Sequence, residues 1–218
     1  MPSEAAVAAV RRYEAYVEDP SATAAGLDAF LALLTRWQKA QNLVSRETLP
    51  NFWERHAADS LQLLRYITPG DRTFVDLGSG GGLPAVPLAT ALRGRQGLAF
   101  TLVEPNQRKA SFLRTVSREL GLNLRVEARR ADEIDSRETL LPDIITSRAL
   151  ASLPALCVLS APFFGSKTRA LLHKGREHVE ELEESRAQWQ FDVLILPSDT
   201  SSDSAILEIR NLQPRSAT

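Results

Sequence analysis

Phe74-Val75-Asp76-Leu77-Gly78-Ser79-Gly80-Gly81-Gly82-Leu83-Pro84 is the stretch whose reading decides how this chain folds. Phe74, Val75 and Leu77 read as a short buried strand with Asp76 near its end. Four glycines in five positions follow, and glycine lets a backbone take positive φ and approach a ligand closely. Pro84 suits a helix start, where a missing N–H costs little, and the helix runs on through Val86, Leu88, Ala89 and Leu92. A strand, a glycine turn and a helix N-terminus together make a site for a nucleotide-type cofactor. The dinucleotide fingerprint needs glycines at its first, third and sixth positions. Counted from Gly78, Leu83 stands at the sixth, which weighs against a nicotinamide dehydrogenase. The spacing is instead Gly78-x-Gly80-x-Gly82, with Asp76 two residues ahead of the first glycine.

Outward from this loop, strands and helices alternate. Strands are expected at 99–104, 124–128, 143–148 and 168–173, with helices at 108–120, 151–160 and 176–188. Two last strands, 189–196 and 204–210, alternate in period two and suit an antiparallel pair. Before the loop, helices are expected at 4–17, 23–40 and 49–67; in the second, Leu27, Phe30, Leu31, Leu34 and Trp37 fall on one face. The turn at Thr68-Pro69-Gly70-Asp71 divides a helical extension, 1–70, from a core, 71–218. Alternating strands and helices imply an α/β fold with a mostly parallel sheet, whose ligands sit at the carboxyl ends of the strands. That edge gathers Gly78–Leu83, Glu104, Ala131–Asp132, Arg148 and Lys174. Glu104 follows Gly82 by 22 residues, a station from which an acid can accept hydrogen bonds from both ribose hydroxyls of an adenosine cofactor.

Composition narrows the classes. The 218 residues are 44% hydrophobic and 24% charged, as in ordinary globular proteins. No apolar run reaches the roughly 18–20 residues of a membrane span. The start lacks a basic leader region, and one cysteine rules out an internal disulfide framework, so a cytoplasmic setting is expected. Three histidines without a cluster make a metal site unexpected. A net charge of −1 argues against a strongly basic nucleic-acid binder but leaves room for a local basic face.

The glycine spacing resembles motif I of S-adenosylmethionine (SAM) methyltransferases. A larger ordered set resembles the RsmG (GidB) family, bacterial methyltransferases of small-subunit ribosomal RNA. It comprises Asn42-Leu43, Arg55-His56-x-x-Asp59-Ser60-Leu61, Asp76-Leu77-Gly78-Ser79-Gly80-x-Gly82-Leu83-Pro84-x-x-Pro87-Leu88-Ala89, Ser147-Arg148-Ala149 and Lys174-Gly175. The likeness spans about residues 30–176, with departures at Gly81, Ala85 and Asp132 and in a tail, Leu207-Glu208-Ile209-Arg210-Asn211, that is less basic than the resemblance leads one to expect. It implies the Rossmann-like class I methyltransferase fold, sheet order 3-2-1-4-5-7-6, behind a helical extension. It further implies methyl transfer from SAM to N7 of a guanine in the decoding-region loop of 16S rRNA, free or in the small subunit. Gly78, Gly80, Gly82, Leu83 and Glu104 would then hold SAM, and Ala131 and Asp132 would flank its adenine. Arg148 would stand at the junction of cofactor and substrate. A small-molecule methyltransferase and a non-catalytic SAM-retaining ribosome-binding module are the alternatives.

Other residues are more ambiguous. Lys174 at the rim suits an RNA phosphate or base, and Arg130 is a further phosphate candidate. His56 lies three residues before Asp59 on a helix and can pair with it, bracing the extension against the cofactor loop or serving catalysis, and it is a further candidate RNA contact. Cys157 reads as core, Glu180–Arg186 as a solvated helix face, and His173 and His178 stay unassigned. Guanine N7 carries a free lone pair and no proton, so attack needs no general base. Arg148 and Lys174 would then act by positioning phosphates or guanine O6.

Overall fold

A computed structural model describes residues 1–134 and 141–215. The apolar strands pair into one seven-stranded sheet: β1 (Thr73–Leu77), β2 (Ala99–Val103), β3 (Leu124–Glu127), β4 (Ile144–Arg148), β5 (Arg169–Lys174), β6 (Trp189–Pro197) and β7 (Ala205–Pro214). Their order is β3-β2-β1-β4-β5-β7-β6, the order expected above. β1 to β5 run parallel, and β7 lies antiparallel to both β5 and β6. Strand order reverses between β1 and β4, so the carboxyl ends of these two strands open the crevice where such sheets take ligands.

Period-two alternation in β1 divides two cores. Phe74 stacks on Phe100 of β2, with ring centroids 4.3 Å apart, and both join the face covered by the N-terminal helices. Val75 and Leu77 turn to the other face, with Ile145, Leu153, Cys157, Leu172 and Trp189. The first face needs the extension. α2 (Pro20–Gln38), on which α1 (Glu4–Arg11) packs, places Phe30 and Leu34 against α4 (Ala85–Ala91) and α5 (Gln107–Leu120), whose Val86, Phe112 and Val116 are fully buried. Each such side chain contributes roughly 1.5–3 kcal/mol by leaving water.

Three local readings of the sequence are refined. Asp19-Pro20 does not merely break a helix; it starts one. The Asp19 side chain accepts from Ala22 N and Pro20 occupies the first turn of α2, where its missing N–H is harmless. The expected helix 4–17 stops at Arg11 and resumes as a single 3-10 turn, Glu14–Tyr16. The expected helix 49–67 is composite. A 3-10 turn (Leu49–Asn51) leads to a π-helical segment (Trp53–Ala58), one α turn (α3, Asp59–Leu61) and a further 3-10 stretch (Gln62–Tyr66). In the π segment the Asp59 N–H reaches back to Glu54 O, five residues away. That widening turns the segment's side chains out of helical register, and π turns recur at functional sites.

The β6–β7 loop folds back across the sheet edge onto the extension. The Asp199 carboxylate accepts from Tyr13 Oη at 3.0 Å and Arg65 Nη1 at 2.8 Å, and the Asp199 N–H donates to Gln62 Oε1 at 2.8 Å. Among the described residues no helix is long and apolar enough to cross a membrane, and no cluster of three or more His, Cys, Asp or Glu could hold a metal.

Candidate active site

A cleft of about 910 Å³ opens at the carboxyl ends of β1, β2, β4 and β5. Its walls come from the connector 42–48, the π segment, the glycine loop, Glu104, the β4 exit 148–151, His173–Gly175 and the loop 198–206. Of the residues singled out in the sequence, His56, Gly78, Gly80, Leu83, Glu104, Arg148 and Lys174 line it. Gly82, Arg130, Ala131 and Asp132 are not among its lining residues. Ala131 is buried and Asp132 exposed in a 3-10 turn (Ala131–Glu133) beyond β3. There Asp132 is forked by Arg130, with Nε at 2.9 Å and Nη2 at 3.0 Å, and that hydrogen-bonded pair lowers the Asp132 pKa.

The cofactor side is built from β1 and β2. Gly78, Gly80 and Gly82 take φ of 69°, 52° and 85°. At Gly80 an added Cβ would meet only Gly78 O, at 3.7 Å, so the backbone there is open to a ligand. At Gly81 it would come within 3.0 Å of Leu43 O, so the connector packs directly on the loop. β2 ends at Val103, and Asn106 caps α5, its side chain accepting from the N–H groups of Arg108 and Lys109. Glu104 is thereby held between loop and helix. Its Oε2 accepts from Gly80 N and its Oε1 from Asn106 N, both at 2.8 Å. A carboxylate has about four lone-pair positions; two are used and two remain at the cleft. This donor–acceptor set fits an adenosine-type cofactor with a ribose diol, its chain running along the glycine loop.

Behind the loop, Asp76 is fully buried. Its Oδ1 accepts from Thr146 Oγ1 at 2.7 Å, and its Oδ2 has no partner. Burial pushes its carboxyl up to about 7.

The opposite wall centres on Arg148. Its Nη1 donates to Arg55 O at 3.0 Å and to Asp59 Oδ2 at 2.9 Å, and its Nη2 donates to His56 Nδ1 at 2.8 Å. The His56–Asp59 pairing suggested by helical spacing does not form. The π turn separates the two side chains, and the Arg148 guanidinium stands between them. His56 Nε2 meets Thr48 Oγ1 at 2.9 Å, and Thr48 Oγ1 donates to Ser45 O at 3.0 Å. Burial, and then the Arg148 charge, lower the His56 pKa to about 4, so the ring is neutral near pH 7. Asp59 also accepts from Thr200 Oγ1 at 2.7 Å and Gln62 Nε2 at 2.8 Å. Burial works against its charge, but neighbouring His173 and Arg148 and these hydrogen bonds hold its pKa below the usual range. His173 Nε2 donates to Asp59 O at 2.8 Å, while its Nδ1 is buried without a partner.

Lys174 lines the cleft with its charge already matched. Nζ lies 2.5 Å from Glu181 Oε2 and 3.0 Å from Ala151 O, and its side chain is 7% exposed. Glu181 also accepts from Leu153 N at 2.6 Å, which ties α7 (His178–Arg186) to the start of α6 (Leu153–Ser160). The charged run of α7 therefore has one inward member. Arg46, Arg55 and Lys109 also line the cleft, and their side-chain charges have no ion-pair partner among the described residues. Sequence reasoning missed these three and Thr200. Arg46 and Thr200 sit in loops with no periodic signal; Arg55 was visible only as part of a motif.

The protein-family model GidB, rRNA small subunit methyltransferase G, matches residues 23–206. The chain is 44% identical over 191 residues to the ribosomal RNA small subunit methyltransferase G of Methylobacterium sp. (strain 4-46), covering 87% of this chain and 89% of that protein. It is 42% identical over 192 residues to the same-named protein of Brucella ovis, covering 88% and 89%. Among solved structures, a SAM-dependent methyltransferase from Aquifex aeolicus aligns with a TM-score of 0.57 at 12% identity, over 81% of this chain and 97% of that one. That likeness concerns the fold. The family match and the relatives together establish that the chain belongs to the GidB family, the rRNA small subunit methyltransferases G.

Proposed function

We propose that this protein, working in the cytoplasm, transfers a methyl group from SAM to N7 of a guanine in the decoding-region loop of 16S rRNA, free or within the small subunit. The observation that carries the reading is the pairing of two unlike walls across one cleft. One presents a glycine loop and an acid with two free acceptor positions. The other presents an arginine whose charge is already balanced.

SAM, when bound, supplies a methyl group on a positively charged sulfur, and Glu104 and the Gly78–Leu83 backbone are the residues that hold it. Ala131 and Asp132 lie one strand further on, where the adenine would extend. Gly82 serves the loop's conformation. The rest of the task falls to positioning. Guanine N7 needs no proton removed, and the acceptor wall commits Asp59 and His56 to internal hydrogen bonds. Methylated guanine carries positive charge, which an unbalanced cation beside N7 would oppose. Asp59 at 2.9 Å offsets Arg148, so the guanidinium can donate to guanine O6 without adding net charge. Lys174 holds the β4 exit through Ala151 O, and so acts on the site through the loop it fixes. Arg46, Arg55 and Lys109 hold RNA phosphates at the mouth of the cleft, and Arg130, at the far end, is a weaker contact because Asp132 already forks it.

The test is methyl transfer from labelled SAM to small subunits, naked rRNA and a metabolite mixture, with the product nucleoside identified. Label as 7-methylguanosine in the rRNA is expected. Label confined to metabolites would refute the reading.

A further inference from the structure

The hydrogen bonds behind Arg148 form a chain in which every proton is assigned. A guanidinium can only donate, so His56 Nδ1, 2.8 Å from Nη2, is the acceptor and carries no hydrogen. A backbone carbonyl can only accept, so the Thr48 hydroxyl spends its hydrogen on Ser45 O. Thr48 Oγ1 is then left to accept at 2.9 Å from His56 Nε2, which must carry the ring proton. Both ends of the chain are fixed, and together they impose one neutral tautomer on His56.

That tautomer decides what Arg148 offers the cleft. Of its five N–H groups, three are taken by Arg55 O, Asp59 Oδ2 and His56 Nδ1. The Nε–H and one N–H of Nη2 have no protein partner among the described residues. Were His56 to carry its proton on Nδ1, or on both nitrogens, that N–H would face the guanidinium and drive it out of its seat. The far end of the chain is also tied to the cofactor wall. Ser45 belongs to the connector whose Leu43 and Val44 pack on Gly81 of the glycine loop.

We infer that His56 is a positioning residue for methyl transfer. Held as the Nε2–H tautomer by Thr48, it orients Arg148 so that the two free guanidinium donors point at the acceptor base. This deepens the rRNA reading of the site and rests on it. The π turn of Trp53–Ala58 is what brings a residue of the extension into this place.

The two carboxamides separate this role from simple space filling. The oxygen of Asn falls near Nδ1 and can accept from Arg148; the terminal amide of Gln falls near Nε2 and replaces only the Thr48 contact. His56→Asn is expected to keep the single-turnover methyl-transfer rate on rRNA within about threefold of the parent, and His56→Gln to lower it at least tenfold. Both should leave SAM affinity within twofold. Thr48→Val leaves the ring's Nε2–H without its acceptor, loosening the seat of His56, and should lower the rate severalfold with little change in KM for RNA. Independently of activity, nitrogen-15 spectra of the His56 ring should show a protonated Nε2 and a bare Nδ1 in the parent. Equal loss in His56→Asn and His56→Gln, parent-like rates in both, or a ring protonated at Nδ1 would each overturn the inference. Failure of the parent protein to methylate rRNA, with the ring tautomer as stated, would instead refute the substrate reading on which the inference rests.

Discussion

Replacing Glu104 separates the cofactor wall from everything else. Its two oxygens accept from Gly80 N and Asn106 N at 2.8 Å and keep two acceptor positions at the cleft. A ribose diol would fill both. Hydrogen bonds to a charged group contribute about 1.5–3 kcal/mol each. Glu104→Ala removes two of them and loosens the glycine loop, while water recovers part of the loss. The net cost to SAM binding is therefore about 2–4 kcal/mol, or roughly 30- to 1,000-fold in Kd. Glu104→Gln is the sharper probe. One end of the amide must present N–H groups to the Gly80 or Asn106 N–H, so the loop is disturbed although the shape is kept. Calorimetry with SAM and S-adenosylhomocysteine should show both ligands weakened together, because they share the ribose. Urea unfolding should show a smaller change, about 1–2 kcal/mol, since the two freed N–H groups open onto solvent in the cleft. A Kd within threefold of the parent in a folded Glu104→Ala protein would refute the reasoning and place the ribose elsewhere.

Arg148→Met leaves Asp59 short of a charged partner and His56 short of a donor. It should cost about 2–4 kcal/mol in unfolding free energy and lower kcat for methyl transfer at least 100-fold; a parent-like kcat would remove Arg148 from the acceptor wall. The salt dependence of RNA binding should sort the cations. Alanine at Arg46, Arg55 or Lys109 should reduce the slope of log K against log salt by roughly 0.7–0.9 each, whereas Lys174→Met, whose charge Glu181 already offsets, should leave it unchanged; the reverse pattern would invert the assignment. Asp76 gives a pH signature. Its folded pKa, about 7, lies above the unfolded value of about 3.9, so the folded state holds a proton that the unfolded chain has released. The corresponding stability is full below about pH 4 and is lost as pH rises through 7, about 4 kcal/mol at most. Asp76→Asn should flatten that decline in unfolding measurements at pH 5 and 8.5, and an unchanged slope would mean that another group titrates.

The gathering of Gly78, Glu104, Arg148 and Lys174 at one edge was legible in the sequence, because a parallel α/β chain has little choice about which strand ends meet; the full strand order followed from the family resemblance. What each charged side chain does there was less so. Lys174 looked free because its partner, Glu181, sits in a run of acids with no inward signal; only the packing of α7 on α6 turns that one residue toward it. His56 and Asp59 looked paired because α-helical spacing was assumed, and a π turn leaves no mark in composition. Thr200 could not be assigned at all, since it reaches Asp59 only after a hairpin loop has folded across the sheet onto the extension. Local pattern shows where strands end. Which neighbour a side chain finds is settled by contacts far apart in the chain.

The clasp at Asp199 bears on the order in which the site comes into being. The glycine loop and Glu104 belong to the first half of the chain, whereas Thr200 and the carboxylate that grips Tyr13 and Arg65 arrive near its end. At about 5–20 residues per second, residue 200 is synthesised roughly 5–20 s after residue 104. During that interval Asp59 lacks its hydroxyl partner and the acceptor wall lacks its outer rim, while the groups that meet the cofactor have already been made. Premature stops and C-terminal shortening at residue 198 also remove β7, the strand that joins β5 to β6, so they strike the sheet itself along with the clasp.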